Sequence, residues 1–318
     1  MKREPAPVAA IAPLEQTPHY EAWLLGQAPL RKYLDFVGDV GMPGLSGARP
    51  DLVREWTAAE LVYEELARTE AGSADHPSCP PLDPALVPLV EQVRSSPRYT
   101  RTFDSLPTRI QMVDLAHLVV CQNHVTQTFV DAICARLGPD PDPATLFRSC
   151  LPLDEGAGPV EIRALGSKRY QFRSPSTDFR FHEPVMLRED QLCGHEAFGA
   201  IAGALGLVVG FSCNFLNAVC DADSGRLLLH NGYHRACALL ALGVRYAPCV
   251  VQTVGSRDEL DIVAKPVVAS DPGYFFNAPR PPLLKDFLDP RICKRVPIKR
   301  MMRVIELSYE VRDYYMEA

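Results

Sequence analysis

The stretch LLLHNGYHRACALLALG, residues 227–243, contains the clearest structural pattern in the chain. Its three leucines predict a buried strand that ends near His230. Asn231 and Gly232 form a turn dipeptide, and the apolar residues that follow have helical spacing up to Gly243, where a glycine is typical of a helix end. The next apolar run predicts another strand, so the local order is strand, tight turn, helix, glycine and strand.

A second pattern of this kind lies upstream of the first. Residues Ile110 to Val113 predict a short strand, the letters DLAHL a turn, and Thr126 to Leu137 a helix that ends at Gly138.

The N-terminal third is predicted to be helical. Residues 1–18 are rich in proline and lack periodicity, which is typical of a flexible arm. Two long segments, 19–40 and 51–69, then have broadly helical spacing. Asp51 is a plausible cap for the second segment, whose apolar face is expected to carry the side chains Leu52, Trp56, Leu61, Val62 and Leu66. A shorter helix is expected around residues 85–95.

The remaining segments predict more strands than helices. Residues 168–187 alternate polar and apolar around a Ser-Pro break and predict a hairpin. The charge-free run 197–220 is long enough for a membrane span, but Asn214, Asn217 and an alternating second half favour a buried helix followed by a buried strand. Ser256 and Glu259 have capping-box spacing for a short helix. Alternation from Val304 to Val311 predicts a final strand.

Composition narrows the classes of function. The chain has 318 residues, 23% of them charged, and a net charge of −6, which argues against an extended nucleic-acid-binding surface. Its ten cysteines include no CxxC pair, so no structural zinc site or other metal site is expected, and reduced thiols in a cytoplasmic protein are the simplest interpretation. The predicted architecture is α+β: an arm at 1–18, a helical region at 19–105, and a mixed-sheet domain at 106–318 with an insertion at about 138–215.

The turn at Gly232 allows two interpretations. The first turn of a helix exposes backbone N–H groups at a positive dipole end, and Arg235 beside it has the fork that suits a phosphate. The same turn also occurs where a buried strand simply gives way to a buried helix. The residues alone leave both alternatives open.

The two patterns together resemble the ParB/sulfiredoxin-like superfamily. Residues 215–254 are similar to its G-x-H-R box, and 107–137 are similar to its opening strand, turn, glutamine and helix. The resemblance implies a site for nucleotide phosphates, formed by the side chains and backbone of Gln122, Asn231, Gly232, His234 and Arg235. Asn231 replaces the usual aspartate, and Tyr233 stands where sulfiredoxin has its catalytic cysteine, so sulfiredoxin chemistry is not expected.

The function that the resemblance implies is phosphoryl transfer or nucleotide hydrolysis, with a nucleoside triphosphate and Mg²⁺ and with His234 and His124 as the candidate acid–base groups. One alternative is a nucleotide-responsive DNA- or protein-binding module without catalysis, and another is a degenerate structural relative that uses its N-terminal helices to bind a protein partner. Contact with DNA is not favoured, and a membrane partner is not expected. A basic cluster offers a candidate surface for nucleic acid or an acidic partner: Arg291, Lys294, Arg295, Lys299, Arg300 and Arg303.

Overall fold

A computed structural model of the chain describes residues 19–153, 158–192 and 199–317, and the predicted arm at 1–18 lies outside them. The described residues divide into two compact units. The larger comprises 19–153 and 213–300, and the smaller comprises 158–192, 199–212 and 301–317. Helices and several sheets occur together, so the α+β prediction is confirmed.

The elements are numbered in chain order. The strands are β1 His19–Leu24, β2 Thr108–Asp114, β3 Val119–Val120, β4 His124–Thr126, β5 Glu161–Gly166, β6 Arg169–Ser174, β7 Phe179–Leu187, β8 Ala204–Phe211, β9 Asn217–Asp221, β10 Leu227–Asn231, β11 Tyr246–Val254, β12 Cys293–Ile298 and β13 Arg303–Ser308. The helices are α1 Leu30–Val40, α2 Arg49–Thr69, α3 Val87–Ser95, α4 Pro97–Thr102, α5 Gln127–Leu137, α6 Pro143–Cys150, α7 Tyr233–Ala241, α8 Arg257–Val263, α9 Pro266–Ser270 and α10 Pro272–Phe276. Short 3-10 turns lie at Pro84–Leu86, Leu115–His117, Glu189–Gln191 and Leu284–Leu288.

The larger unit is built on a five-stranded mixed sheet in the order β2-β11-β9-β10-β3. Successive side chains of a strand face opposite sides of its sheet. In β10, Leu227 and Leu229 accordingly belong to the core cluster that contains α7, whereas Leu228 packs in a second cluster with Val268 and Phe275. The leucine run is uniformly apolar because both faces of this strand are covered.

The local predictions around this sheet are confirmed. Gly232 separates β10 from α7, Gly243 follows α7, and β11 comes next. The upstream strand, turn and helix are β2, the 3-10 turn at Leu115–His117 and α5, and Gly138 caps α5 with a positive φ. The helix expected at 85–95 is present, and the Ser256 side chain accepts from the N–H of Glu259 at the start of α8.

The first helical prediction is wrong for residues 19–24. These residues form β1, the central strand of a second sheet with the order β12-β1-β4. Ala22 and Leu24 face the main core, whereas Trp23 faces a separate cluster formed with α1 and α2. Burial on both faces makes a strand nearly continuously apolar, and at this length such a run looks like one side of a helix.

The second predicted helix is present, but it begins earlier than expected and buries a different set of side chains. Ala48 is the N-cap of α2 and Asp51 lies in its first turn, so Asp51 is not the cap. Pro50 explains the earlier start, because its fixed φ suits the first turn of a helix. Leu61 is 61% exposed, contrary to the prediction, and Tyr63 is buried instead.

The smaller unit contains the sheets β13-β6-β5 and β7-β8. The hairpin predicted over 168–187 is wrong, because β6 pairs with β5 and β13 while β7 pairs with β8. The predicted buried helix in 197–220 is also wrong for the residues of β8, of which Leu205 is 64% exposed. Glycines at 206 and 210 and valines at 208 and 209 disfavour a helix there. The final strand ends at Ser308, earlier than expected. No helix in the described ranges is long and apolar enough to cross a membrane.

Candidate functional site

The turn before α7 requires a glycine for two reasons. Gly232 has φ of 91° and ψ of 22°, in the left-handed region that side chains disfavour. A Cβ atom added there would lie 2.7 Å from Leu216 Cδ1 and 3.2 Å from Leu216 Cα. The N-cap of α7 is Gly232 itself, which has no side chain to cap the helix. The N-cap therefore supplies no side-chain acceptor for the backbone N–H groups of the first turn.

Tyr233 anchors this turn to the loop after β3. Its buried hydroxyl donates to the carbonyl of Leu229 at 2.7 Å and accepts from the N–H of Cys121 at 3.1 Å. Burial raises the pKa of Tyr233 well above its usual value. The tyrosine is therefore a neutral structural link between β10 and residue 121.

Arg235 is buried and contacts backbone carbonyls. Its Nη1 donates to the carbonyl of Cys150 at 2.9 Å and to that of Asn214 at 2.7 Å. These contacts tie α7 to the end of α6 and to the loop before β9. The contact of Arg235 with a phosphate remains a prediction.

His234 contacts the outer edge of β4. Its Nε2 accepts from the N–H of Thr126 at 3.0 Å, and its ring meets Phe129 edge-on with centroids 5.7 Å apart. In the neutral imidazole the proton consequently sits on Nδ1. Nε2, the nitrogen that would act as a base, already accepts the hydrogen bond from Thr126.

The two amide side chains predicted for the site hold local backbone. Gln122 Nε2 donates to the carbonyl of His124 at 2.6 Å, and Asn231 Nδ2 donates to the carbonyl of Cys213 at 3.0 Å. Gln122 lies in the loop between β3 and β4, and Asn231 is the last residue of β10.

His124 is held by a pair of β1 residues that the sequence interpretation missed. Its Nδ1 lies 2.8 Å from Oε2 of Glu21, and its ring stacks on Trp23 with centroids 4.7 Å apart and planes 4° apart. Phe36 of α1 contacts the same ring at 5.0 Å. The alternation in HYEAW was the available signal, since it places Glu21 and Trp23 on one face of a strand.

Glu21 connects the two candidate histidines. This buried carboxylate receives the contact from His124 on Oε2 and a hydrogen bond from Thr126 Oγ1 on Oε1 at 2.6 Å. The N–H of the same Thr126 donates to His234. The structure thus brings His124 and His234 into one network through a strand-to-strand contact.

His230 and Lys265 adjoin the other side of the turn. Burial, and secondarily the charge of Lys265, lowers the pKa of His230 to about 4. Lys265 Nζ also lies 4.9 Å from the centroid of the Tyr233 ring. Among the described residues, the buried Nδ1 of His230 has no hydrogen-bond partner. Sequence reasoning missed Lys265 because the residue is distant from α7 along the chain.

The basic cluster near the C-terminus is not brought to this network as one group. Arg291 pairs with Asp289, and Lys294 pairs with Glu55. Lys299 Nζ donates to the carbonyl of Asp39 at 3.3 Å. The structure places Arg295 and Arg300 in the larger unit and Arg303 in the smaller one.

Two further features bear on ligands. Over 19–153, 158–192 and 199–317, no group of three His, Cys, Asp or Glu side chains is arranged to hold a metal ion. A cavity of about 220 Å³ lies between α3 and α6 and is lined by residues such as Val93 and Phe147, but by none of the predicted site residues.

Comparison with models of known protein families gives no match, and comparisons with curated proteins and with solved structures give none either.

Proposed function

We propose that the larger unit binds a nucleoside triphosphate through its phosphates at the N-terminal end of α7, and that it acts as a nucleotide-dependent phosphotransferase or nucleotidase. The observation that carries the proposal is the turn at Gly232, where a helix of nine residues begins at a glycine N-cap in the left-handed region. Backbone N–H groups and the positive helix end favour an anion there.

Positive charge beside the turn supports the same proposal. Lys265 lies close enough to depress the pKa of His230, so a cationic group adjoins the end of β10. An anionic ligand would be attracted to this side of the turn. The resemblance to the ParB/sulfiredoxin-like superfamily supports phosphate as the anion, since the corresponding box of that superfamily holds nucleotide phosphates.

The network offers few protein ligands for Mg²⁺. Mg²⁺ prefers oxygen ligands and usually takes them from phosphates, waters and one or two carboxylates. Glu21 is the carboxylate that the network contains, and both of its oxygens already have partners. We therefore expect phosphates and water to supply most ligands of Mg²⁺, which when bound would neutralise phosphate charge.

The alternative is a nucleotide-responsive module that binds DNA or a protein without catalysis. The backbone contacts of Arg235 and Asn231 favour it, because these side chains stabilise loops around the turn whether or not chemistry occurs. Nucleotide binding without phosphate release would distinguish this module from an enzyme.

Thermal unfolding with ATP, CTP or GTP and MgCl₂ tests the proposal. A ligand at one hundred times its dissociation constant adds about 2.7 kcal/mol to the free energy of unfolding. We expect stabilisation by at least one nucleotide, and a smaller effect in Lys265→Met. Lys299→Met is the matched control, since that lysine contacts a carbonyl elsewhere in the larger unit. The absence of stabilisation by every nucleotide contradicts the proposal.

A further inference from the structure

We infer that Glu21 is a positioning residue for His124 and that His124 Nε2 is the proton acceptor of the reaction at this site. The inference rests on the proposed function. It supplies a proton acceptor, for which the G-x-H-R box offers only His234, whose Nε2 already accepts a hydrogen bond. Neither Glu21 nor its strand belongs to the segments that carry the resemblance.

The alternation of two paired strands creates the arrangement. Trp23 lies opposite His124 across the β1–β4 pair, and Glu21 lies opposite Thr126. All four side chains therefore project from the same face of the sheet. The Glu21 carboxylate reaches His124 diagonally, a distance that long side chains on adjacent strands can span.

The contacts determine which ring nitrogen of His124 accepts a proton. A carboxylate accepts hydrogen bonds, so the 2.8 Å contact places the proton of the neutral ring on Nδ1. Nε2 then carries the lone pair. Stacking on Trp23 and the contact with Phe36 restrict rotation of the ring. The Thr126 hydroxyl occupies the other oxygen of Glu21, which prevents the carboxylate from turning away.

The surroundings of His124 suit a proton acceptor better than those of His234. The His124 side chain is 37% exposed, whereas Glu21 is buried behind it. His234 has its Nε2 committed to Thr126, so it suits donation and orientation better than proton acceptance. A carboxylate that orients a histidine and stabilises its protonated form is a general device for activating a nucleophile.

The step balances with water as the nucleophile. His124 Nε2 takes one proton from a water molecule as the water oxygen forms a bond to the terminal phosphorus of the nucleotide. The bond from that phosphorus to the bridging oxygen breaks, and the leaving nucleoside diphosphate takes the electron pair. The partly exposed imidazolium afterwards returns its proton to solvent.

The experiment combines steady-state phosphate release with ¹⁵N NMR of the histidine rings in the full chain. Glu21→Gln removes one of the two acceptor oxygens while keeping the shape of the side chain. We expect kcat to fall by about a hundredfold or more with little change in KM, as for loss of a general base. The NMR spectrum should show His124 changing from the Nδ1–H tautomer to a mixture. His124→Gln identifies the His124 signals and should lower kcat as much as Glu21→Gln does, while the double variant should fall no further.

Asp114→Asn is the matched control, because Asp114 is a buried carboxylate that contacts another histidine, His117, at 3.0 Å. It should change kcat less than about tenfold. A change below that size in either Glu21→Gln or His124→Gln overturns the inference. If Glu21→Gln does not fold, the result for His124→Gln decides. If the unmodified protein binds nucleotide but releases no phosphate, this inference fails while the binding proposal stands. If it binds no nucleotide, the proposed function fails first.

Discussion

The backbone N–H of Thr126 donates to Nε2 of His234 across 3.0 Å, and this bond joins the edge of one sheet to the first turn of α7. Thr126 is the last residue of β4, an edge strand in the described sheet, and pairs with Glu21 of β1. Its N–H faces away from β1 and is satisfied by the His234 side chain. The contact fixes the His234 ring beside the turn at Gly232. His234, a predicted acid–base group, thus also links two elements of the fold.

His234→Phe should lower the free energy of unfolding by about 1–3 kcal/mol, because the largely buried N–H of Thr126 loses its acceptor. His234→Gln can restore an acceptor and should cost less. Urea unfolding of the three proteins measures the difference. Equal stability of the two variants would contradict the importance of this hydrogen bond.

Gly232→Ala should destabilise the protein more than Gly243→Ala. Both glycines have positive φ, 91° and 82°, so each substitution carries a backbone cost of about 1–2 kcal/mol. At Gly232 the new Cβ would also collide with Leu216, whereas at Gly243 no atom of the described residues lies within 4 Å of the new Cβ. Overpacking adds about 1–3 kcal/mol. Thermal and urea unfolding of both variants test the ordering, and similar losses of stability would show that backbone strain alone matters.

The local part of the site could be predicted from sequence, whereas its long-range contacts could not. The turn at Gly232 and the start of α7 follow from the spacing of residues that are neighbours in the chain. The contacts of Arg235 with the carbonyls of Cys150 and Asn214 depend on how separate elements pack. No pattern within α7 distinguishes a guanidinium that binds backbone from one that binds phosphate.

Glu21 shows why the sequence interpretation missed an acidic group. Its role depends on a pairing with Thr126, 105 residues away in the chain. It also depends on a strand whose sequence looks helical because both of its faces are buried. The error in β1 therefore concealed the network at His124 as well. Strand pairing partners are determined by tertiary packing rather than by local propensity.

The stability of the protein should fall in acid through His230. Its pKa is about 4 in the folded chain, mainly because of burial, and near 6.5 when unfolded. The unfolded state therefore binds more protons between these values, so stability is lost as the pH falls from about 6.5 to 4, by up to about 3 kcal/mol. His230→Phe cannot titrate and should lack this contribution. Urea unfolding at several pH values measures it, and parallel curves for the two proteins would contradict the prediction.

The final prediction concerns a buried ion pair away from the site. Arg280 donates to both oxygens of Asp286, at 2.5 Å from Nη1 and 2.6 Å from Nη2, and both residues are almost fully buried. Asp286 also accepts from the N–H of Leu283. Asp286→Asn leaves the guanidinium of Arg280 with less compensating charge, so unfolding should become easier by about 3–5 kcal/mol. Asp35→Asn, which breaks an exposed pair with Arg31 on α1, is the control and should cost less than about 1 kcal/mol. If the two variants lost similar free energies of unfolding in urea, burial would not increase the contribution of this ion pair to stability.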